Sequence, residues 1–187
     1  ARNQQGEVVC FDPVENHHRH HILDLTIAPA AISAELRQQA TDIATRIVDA
    51  LDYIGIMGVE FFLNNDQSLL VNEMAPRPHN SGHHSIDACV TSQFEQQLRA
   101  VCNLPLGSTR LLCPAVMLNL LGDMWPAIDR SPEWADVLDD GSAALHLYGK
   151  KRALERRKMG HVTFLGENAL QRAEAIKATL LAKGLTG

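Results

Sequence analysis

The stretch Gly58-Val59-Glu60-Phe61-Phe62-Leu63, Asn64-Asn65-Asp66-Gln67, Ser68-Leu69-Leu70-Val71-Asn72-Glu73-Met74-Ala75 reads as two apolar strands around a polar turn. Asn and Asp tolerate the left-handed backbone and bond their own chain, which suits a hairpin. Each strand carries one carboxylate in its apolar run, Glu60 and Glu73. A ladder that pairs Asn64 with Leu69 sets Glu60 directly opposite Glu73 on one face. Like charges placed so repel each other, and a cation between them removes the penalty. Carboxylate oxygens suit a hard ion such as Mg²⁺, which commonly also binds substrate phosphates. A slip of one residue sends one glutamate to the other face. The two are then ordinary solvent-exposed acids.

The next residues are Pro76-Arg77-Pro78-His79-Asn80-Ser81-Gly82-His83-His84. Two prolines exclude a helix and favour a rigid extended loop. Such a loop can hold Arg77, His79 and Asn80 beside the proposed ion. An Arg fork is suited to bidentate recognition of carboxylate, bicarbonate or phosphate. The plainer reading is a polar surface loop.

Around this segment the 187 residues are 45% hydrophobic and 21% charged, an ordinary globular composition. The net charge of −5 argues against nucleic acid or an anionic membrane as main partner. No apolar run reaches transmembrane length, and no signal peptide is expected. Cys10, Cys89, Cys102 and Cys113 are scattered, and read as buried, reduced thiols of a cytoplasmic protein.

Strands are expected over 7–12 and 16–25. The second carries His17-His18-Arg19-His20-His21. Neighbours on a strand point to opposite faces, so at most two of these histidines could share an ion. Ser33 caps a helix whose stripe is Leu36, Ala40, Ile43, Ala44, Ile47, Val48 and Leu51. Ser92-Gln93-Phe94-Glu95 is a capping box opening a helix that buries Phe94, Leu98 and Val101, with helix starting as early as Ser85. Asn103–Gly107 is the linker candidate. Strands follow at 111–121, 143–148 and 161–165, then a helix from about Asn168 to Lys183 ended by Gly184.

The block Gly149-Lys150-Lys151-Arg152-Ala153-Leu154-Glu155-Arg156-Arg157-Lys158-Met159-Gly160 holds six cations in twelve residues of an acidic chain. It reads either as a solvated charged hairpin or as a glycine-flanked phosphate site.

Three separated segments resemble one family. Val59-Glu60-Phe61-Phe62 with Asn72-Glu73-Met74-Ala75-Pro76-Arg77-Pro78-His79-Asn80-Ser81-Gly82-His83 looks like the end of an ATP-grasp domain. Ala1-Arg2-Asn3, Gly6-Glu7 and Val14-Glu15-Asn16-His17-His18 resemble the part upstream of the hairpin. Tyr148-Gly149-Lys150 and Arg157-Lys158-Met159-Gly160-His161-Val162 resemble a C-terminal signature. Together they resemble the N5-carboxyaminoimidazole ribonucleotide synthases of bacterial and fungal purine biosynthesis.

The resemblance implies an α+β fold. Residues 1–106 would be the C-terminal part of an ATP-grasp domain, an antiparallel sheet with packed helices. Residues 107–187 would be a small, β-rich C-terminal domain ending in a helix. The nucleotide-gripping elements would lie in an N-terminal half of the same polypeptide, so this chain is expected to be inactive alone. The implied reaction uses ATP and Mg²⁺ to join bicarbonate to 5-aminoimidazole ribonucleotide through carboxyphosphate. The implied roles are Glu60 and Glu73 on metal, Asn72 and Glu73 at the nucleotide, and Arg77, His79 and Asn80 in catalysis. Lys150, Arg157 and Lys158 would hold the 5′-phosphate. A homodimer is implied as well. Many ATP-grasp enzymes carry Asn two residues after the second metal glutamate; Ala75 stands there, so Asn72 or a water completes the shell.

Two alternatives remain open. A sister enzyme formylates glycinamide ribonucleotide with formate, but its loop usually continues Asp-Thr-Gly where this chain has Asn80-Ser81-Gly82. The other is a non-catalytic, ATP-grasp-like binding module, against which intact Glu60, Glu73 and Arg77 argue.

Overall fold

The computed structural model describes residues 1–184. In chain order its elements are β1 (Glu15–Arg19), β2 (Ile22–Ala28), α1 (Ala34–Ala50), β3 (Gly58–Leu63), β4 (Leu69–Ala75), α2 (Ser85–Ala88), α3 (Gln93–Val101), β5 (Ala115–Leu121), α4 (Ala135–Leu138), β6 (Ala143–Leu147), β7 (Lys158–Leu165) and α5 (Ala169–Lys183). Short 3₁₀ turns cover Asn80–Gly82 and Gly122–Met124. No described helix is long and apolar enough to cross a membrane. The chain forms two compact units, residues 1–15 with 29–112 and residues 16–28 with the chain from 113 onward. The single boundary expected at 106/107 falls in the irregular segment between α3 and β5. Residues 16–28 join the second unit because β2 pairs with β5, Leu25 opposite Leu118 and Ala28 opposite Ala115.

The first unit holds α1, the β3–β4 hairpin, α2 and α3. Ser33 Oγ accepts the Leu36 N–H at 3.2 Å, a cap that contributes about 1 kcal/mol. Leu36, Ala40 and Val48 form the buried stripe of α1, while Leu51, expected on that stripe, is 59% exposed. The strand expected at 7–12 does not form. Asn3 Oδ1 accepts the amides of Gln5 and Glu7 at 3.1 and 2.9 Å, and Gly6 takes a positive φ of 80°. This side-chain turn folds the segment back and leaves only isolated bridges around Arg2. Helix over 85–102 is likewise interrupted, at Cys89, whose backbone is extended.

α3 turns its expected face outward. Phe94, Leu98 and Val101 are 40%, 61% and 43% exposed, whereas Gln93, Gln96 and Ala100 are buried. The reason is hydrogen bonding. Gln96 holds both backbone groups of Gly107, donating to its carbonyl at 2.5 Å and accepting its N–H at 3.0 Å. Gln97 Oε1 accepts the Ile56 N–H at 2.7 Å. Gln93 grips His79. A backbone group left unsatisfied on burial costs about 1–3 kcal/mol, the same order as burying one apolar side chain, so the three amides offset the exposure of the apolar stripe.

The second unit is a five-stranded sheet in the order β1-β2-β5-β7-β6. Its pairs β2–β5, β5–β7 and β6–β7 are antiparallel. β5 and β7 are buried along almost their whole length. α5 packs on them, with Val116, Leu118, Leu120, Val162, Phe164, Ala173 and Leu180 in the core. Asn119, fully buried in β5, donates to the Leu23 carbonyl at 2.8 Å. All four cysteines are free; Cys89 is buried, but Cys102, expected inside, is exposed. Burial pushes the Cys89 thiol up to about 11, with the Asp12 charge adding to it.

The single strand expected over 16–25 is a hairpin. His20 and His21 form its two-residue turn at φ 50° and 62°. Such turns favour Asn-Gly because both central residues are left-handed. A left-handed non-glycine residue costs about 1–2 kcal/mol, and glycine costs about 0.5–1 kcal/mol in lost chain entropy. His21→Gly is therefore expected to raise Tm by about 1–4 °C in calorimetry. An unchanged or lower Tm contradicts the strain.

Candidate functional site

The β3–β4 hairpin brings the two glutamates together by an unexpected route. Asn64 N–H bonds the Ser68 carbonyl at 2.9 Å, and Asp66 Oδ1 accepts the Ser68 N–H at 3.0 Å. Gln67 takes the left-handed position at φ 65°. This turn starts the ladder at Leu63↔Leu69, followed by Phe62↔Leu70 and Phe61↔Val71. The expected Asn64–Leu69 pairing is thus displaced by one residue, and a regular continuation sets Glu60 opposite Asn72. The register instead shifts after Phe61, and Glu60 lies opposite Glu73. Asn72 is the extra residue of a β-bulge, a device that re-aims side chains where it occurs.

Glu60 is half-buried and Glu73 exposed. The His79 Nε2 lies 3.4 Å from Glu60 Oε1. Its Nδ1 lies 2.7 Å from Ser81 Oγ. The loop returns this close only because residue 58 is glycine. A Cβ there would sit 2.9 Å from the His79 Cβ. Arg77 is exposed, with Nη1 donating to the Pro78 carbonyl at 3.0 Å. The extended loop expected after Pro76 ends at His79, and Asn80 opens the 3₁₀ turn. His84 is 3% exposed and donates from Nδ1 to the Ser81 carbonyl at 2.9 Å. Burial lowers its pKa from the ordinary 6.5, against the Ser81 hydrogen bond that raises it, and so favours the neutral imidazole.

In the sequence, Gln93 reads only as part of a helix cap. Its Oε1 accepts the His79 N–H at 2.8 Å and its Nε2 donates to the His79 carbonyl at 2.7 Å. Nε2 also lies 2.8 Å from His83 Nδ1. Its place directly after Ser92, in a box of cap and polar residues, gave no hint that it points inward.

The basic block lies in the second unit. Lys150 Nζ donates to the Lys158 carbonyl at 2.5 Å and lies 5.6 Å from the centre of the Tyr148 ring. Arg157 Nη1 donates to the Arg152 carbonyl at 3.1 Å. Ala153, 1% exposed, anchors the loop through its N–H to the Ile128 carbonyl at 2.7 Å. Arg156 pairs with Glu155 at 3.3 Å. The loop is thus pinned at its middle while Lys150, Lys151, Arg152 and Arg157 stay exposed. Below it, Tyr148 Oη lies 2.9 Å from His161 Nδ1, and His161 stacks on His146 at 4.5 Å. Burial pushes the Tyr148 phenol up to about 12.

Chemically, the hairpin offers two opposed carboxylates in one face of a ladder. Oxygen donors of this kind fit a hard cation such as Mg²⁺ rather than a soft one. The loop beside them supplies an arginine fork and an imidazole, and the basic block supplies cations suited to a phosphate.

The ATP-grasp domain family matches residues 1–94. The phosphoribosylaminoimidazole carboxylase C-terminal domain family matches residues 115–175. The chain is 48% identical over 165 residues to N5-carboxyaminoimidazole ribonucleotide synthase of Bacillus subtilis, covering 88% of this chain and 42% of that protein. Against the synthase of Synechococcus elongatus it is 43% identical over 187 residues, covering 96% of this chain and 46% of that protein. The crystal structure of the synthetase from Thermotoga maritima superimposes with a TM-score of 0.83 at 46% identity, over 95% of this chain and 49% of that one. The Aspergillus clavatus synthase in complex with ADP and 5-aminoimidazole ribonucleotide gives 0.85 at 36% identity, over 97% and 49%. The chain therefore spans about half the length of the proteins it matches.

Proposed function

This chain belongs to the ATP-grasp family, and from that premise we propose that it forms the C-terminal half of an enzyme that carboxylates 5-aminoimidazole ribonucleotide. Bicarbonate and ATP give carboxyphosphate and ADP. The substrate amine then attacks the carboxyl carbon, the C–N bond forms, and the C–O bond to phosphorus breaks. The products are N5-carboxyaminoimidazole ribonucleotide and phosphate. The observation that carries this reading is the bulge that sets Glu60 against Glu73 with His79 3.4 Å from Glu60.

Glu60 and Glu73 would hold Mg²⁺, with Asn72 at the bulge completing the shell and touching the nucleotide. When bound, the ion neutralises charge on the transferring phosphate. Arg77 clamps bicarbonate and offsets the negative charge that builds as two anions meet. His79 is held at Nδ1 by Ser81 and stands with Nε2 beside Glu60. With Asn80 it orients the bicarbonate oxygens, so that positioning supplies much of the rate. Lys150, Arg157 and Lys158 take the 5′-phosphate of the ribonucleotide. The N-terminal half of the same polypeptide supplies the remaining ATP contacts. The assembly is a cytoplasmic homodimer, and neither nucleic acid nor a membrane is a partner.

A product assay tests this reading. The full-length polypeptide is expected to incorporate labelled bicarbonate into the ribonucleotide with stoichiometric ADP release, and to give no product with formate. The 187-residue chain alone is expected to show no bicarbonate- and ribonucleotide-dependent ATP hydrolysis. Formate incorporation, or turnover by the chain alone, contradicts the proposal.

A further inference from the structure

We propose that Gln93 is the positioning residue for His79, an inference that rests on the role given to His79 above. One amide side chain closes two hydrogen bonds on one residue's backbone, accepting the His79 N–H at 2.8 Å and donating to the His79 carbonyl at 2.7 Å. This is the pattern that a neighbouring strand offers in a ladder. It fixes His79 in extended backbone, φ −113° and ψ 149°, in a segment that belongs to no sheet. With the backbone held and Nδ1 2.7 Å from Ser81 Oγ, the imidazole stands with Nε2 3.4 Å from Glu60.

Gln93 is itself over-determined. It is 3% exposed. Its own N–H donates to Ser85 Oγ at 2.9 Å, and that hydroxyl donates to the Gly82 carbonyl at 2.5 Å. Nε2 reaches His83 Nδ1 at 2.8 Å. A Cβ on residue 82 would lie 2.5 Å from Gln93 Oε1, so glycine there leaves the amide its place. The amide therefore joins the start of α3 to the loop that follows the glutamate pair. A shift of an ångström in such a loop is enough to cost a large factor in rate.

A double-mutant cycle on kcat in the full-length protein tests this. Gln93→Met is expected to lower kcat by about 10–100-fold, the range for lost supporting hydrogen bonds. The KM for the ribonucleotide should stay within about twofold, because the basic block is elsewhere in the chain. In a His79→Ala background, the same substitution should cost less than about threefold, because its effect runs through the missing side chain. Gln93→Glu keeps an acceptor for the His79 N–H and loses the donor to its carbonyl. A carboxylate oxygen then faces that carbonyl, so the variant's kcat should fall at least as far as that of Gln93→Met. Multiplicative losses in the cycle, a parallel rise in KM, or loss of cooperative melting in both Gln93 variants would overturn the proposal, since the amide then serves the fold at large. A silent Gln93→Met beside a damaging His79→Ala also overturns it while sparing the role of His79. A silent His79→Ala removes that role, and the proposal falls with it.

Discussion

Glu73→Ala in the full-length protein is expected to lower turnover by on the order of 10³-fold or more, with Tm unchanged or slightly raised. Catalysis of phosphoryl transfer is mostly positioning and charge stabilisation, and losing a single preorganised stabilising group already costs about 10²–10³-fold. The stability expectation comes from the ladder. Glu60 and Glu73 are directly opposed, and two like charges there destabilise a strand pair by up to about 1 kcal/mol. Removing one relieves that repulsion when no ion is bound. Added Mg²⁺ should therefore raise the Tm of the wild type and leave that of Glu73→Ala unmoved. Steady-state kinetics and thermal melts with and without Mg²⁺ check both halves. Retained turnover, or a melt that collapses with the substitution, contradicts the assignment.

Arg157→Ala is expected to raise the KM for the ribonucleotide by about tenfold to a hundredfold and to leave the KM for ATP nearly unchanged. A charged hydrogen bond contributes about 1.5–3 kcal/mol, and about 1.4 kcal/mol corresponds to a factor of ten. The loop should survive the change. The substitution removes one side-chain tie, Arg157 Nη1 to the Arg152 carbonyl, and leaves the backbone bonds, Gly122 N–H to the Arg157 carbonyl at 2.9 Å and Ala153 N–H to the Ile128 carbonyl. A solvated, non-functional loop predicts no kinetic change. An equal rise in both KM values implicates the loop in ATP binding or folding, and removes the phosphate role.

The glutamate pair is legible from two apolar runs around a polar turn, yet the register next to the turn lies one residue from the expected one. The turn closed Asn64 on Ser68 rather than on Leu69, and the bulge at Asn72 made up the difference. A bulge has no sequence signature of its own in a run such as Leu69–Ala75. The Ser33 and Ser92 caps were readable because a cap is local, one oxygen and one amide three residues on. Burial along α3 was not readable. Periodicity says which residues share a face, and not which face goes in. Gln93 and Gln96 go in, and half-buried Gln97 turns inward, because distant backbone groups at His79, Gly107 and Ile56 await them. The hairpin at His20-His21 is not legible for the opposite reason: no Asn-Gly or Asp-Gly pair stands there to mark the turn.

The spare residue at Asn72 bears on how such sites are sought in other sequences. Were Asn72 deleted, Phe61 would still pair with Val71 and Glu60 with Glu73, now through an unbroken ladder. Two chain lengths between the acids thus yield one geometry. A search pattern that demands a fixed interval between the glutamates will pass over hairpins that lack the extra residue. It will also accept hairpins of the right length whose ladder never bulges, and whose acids face apart.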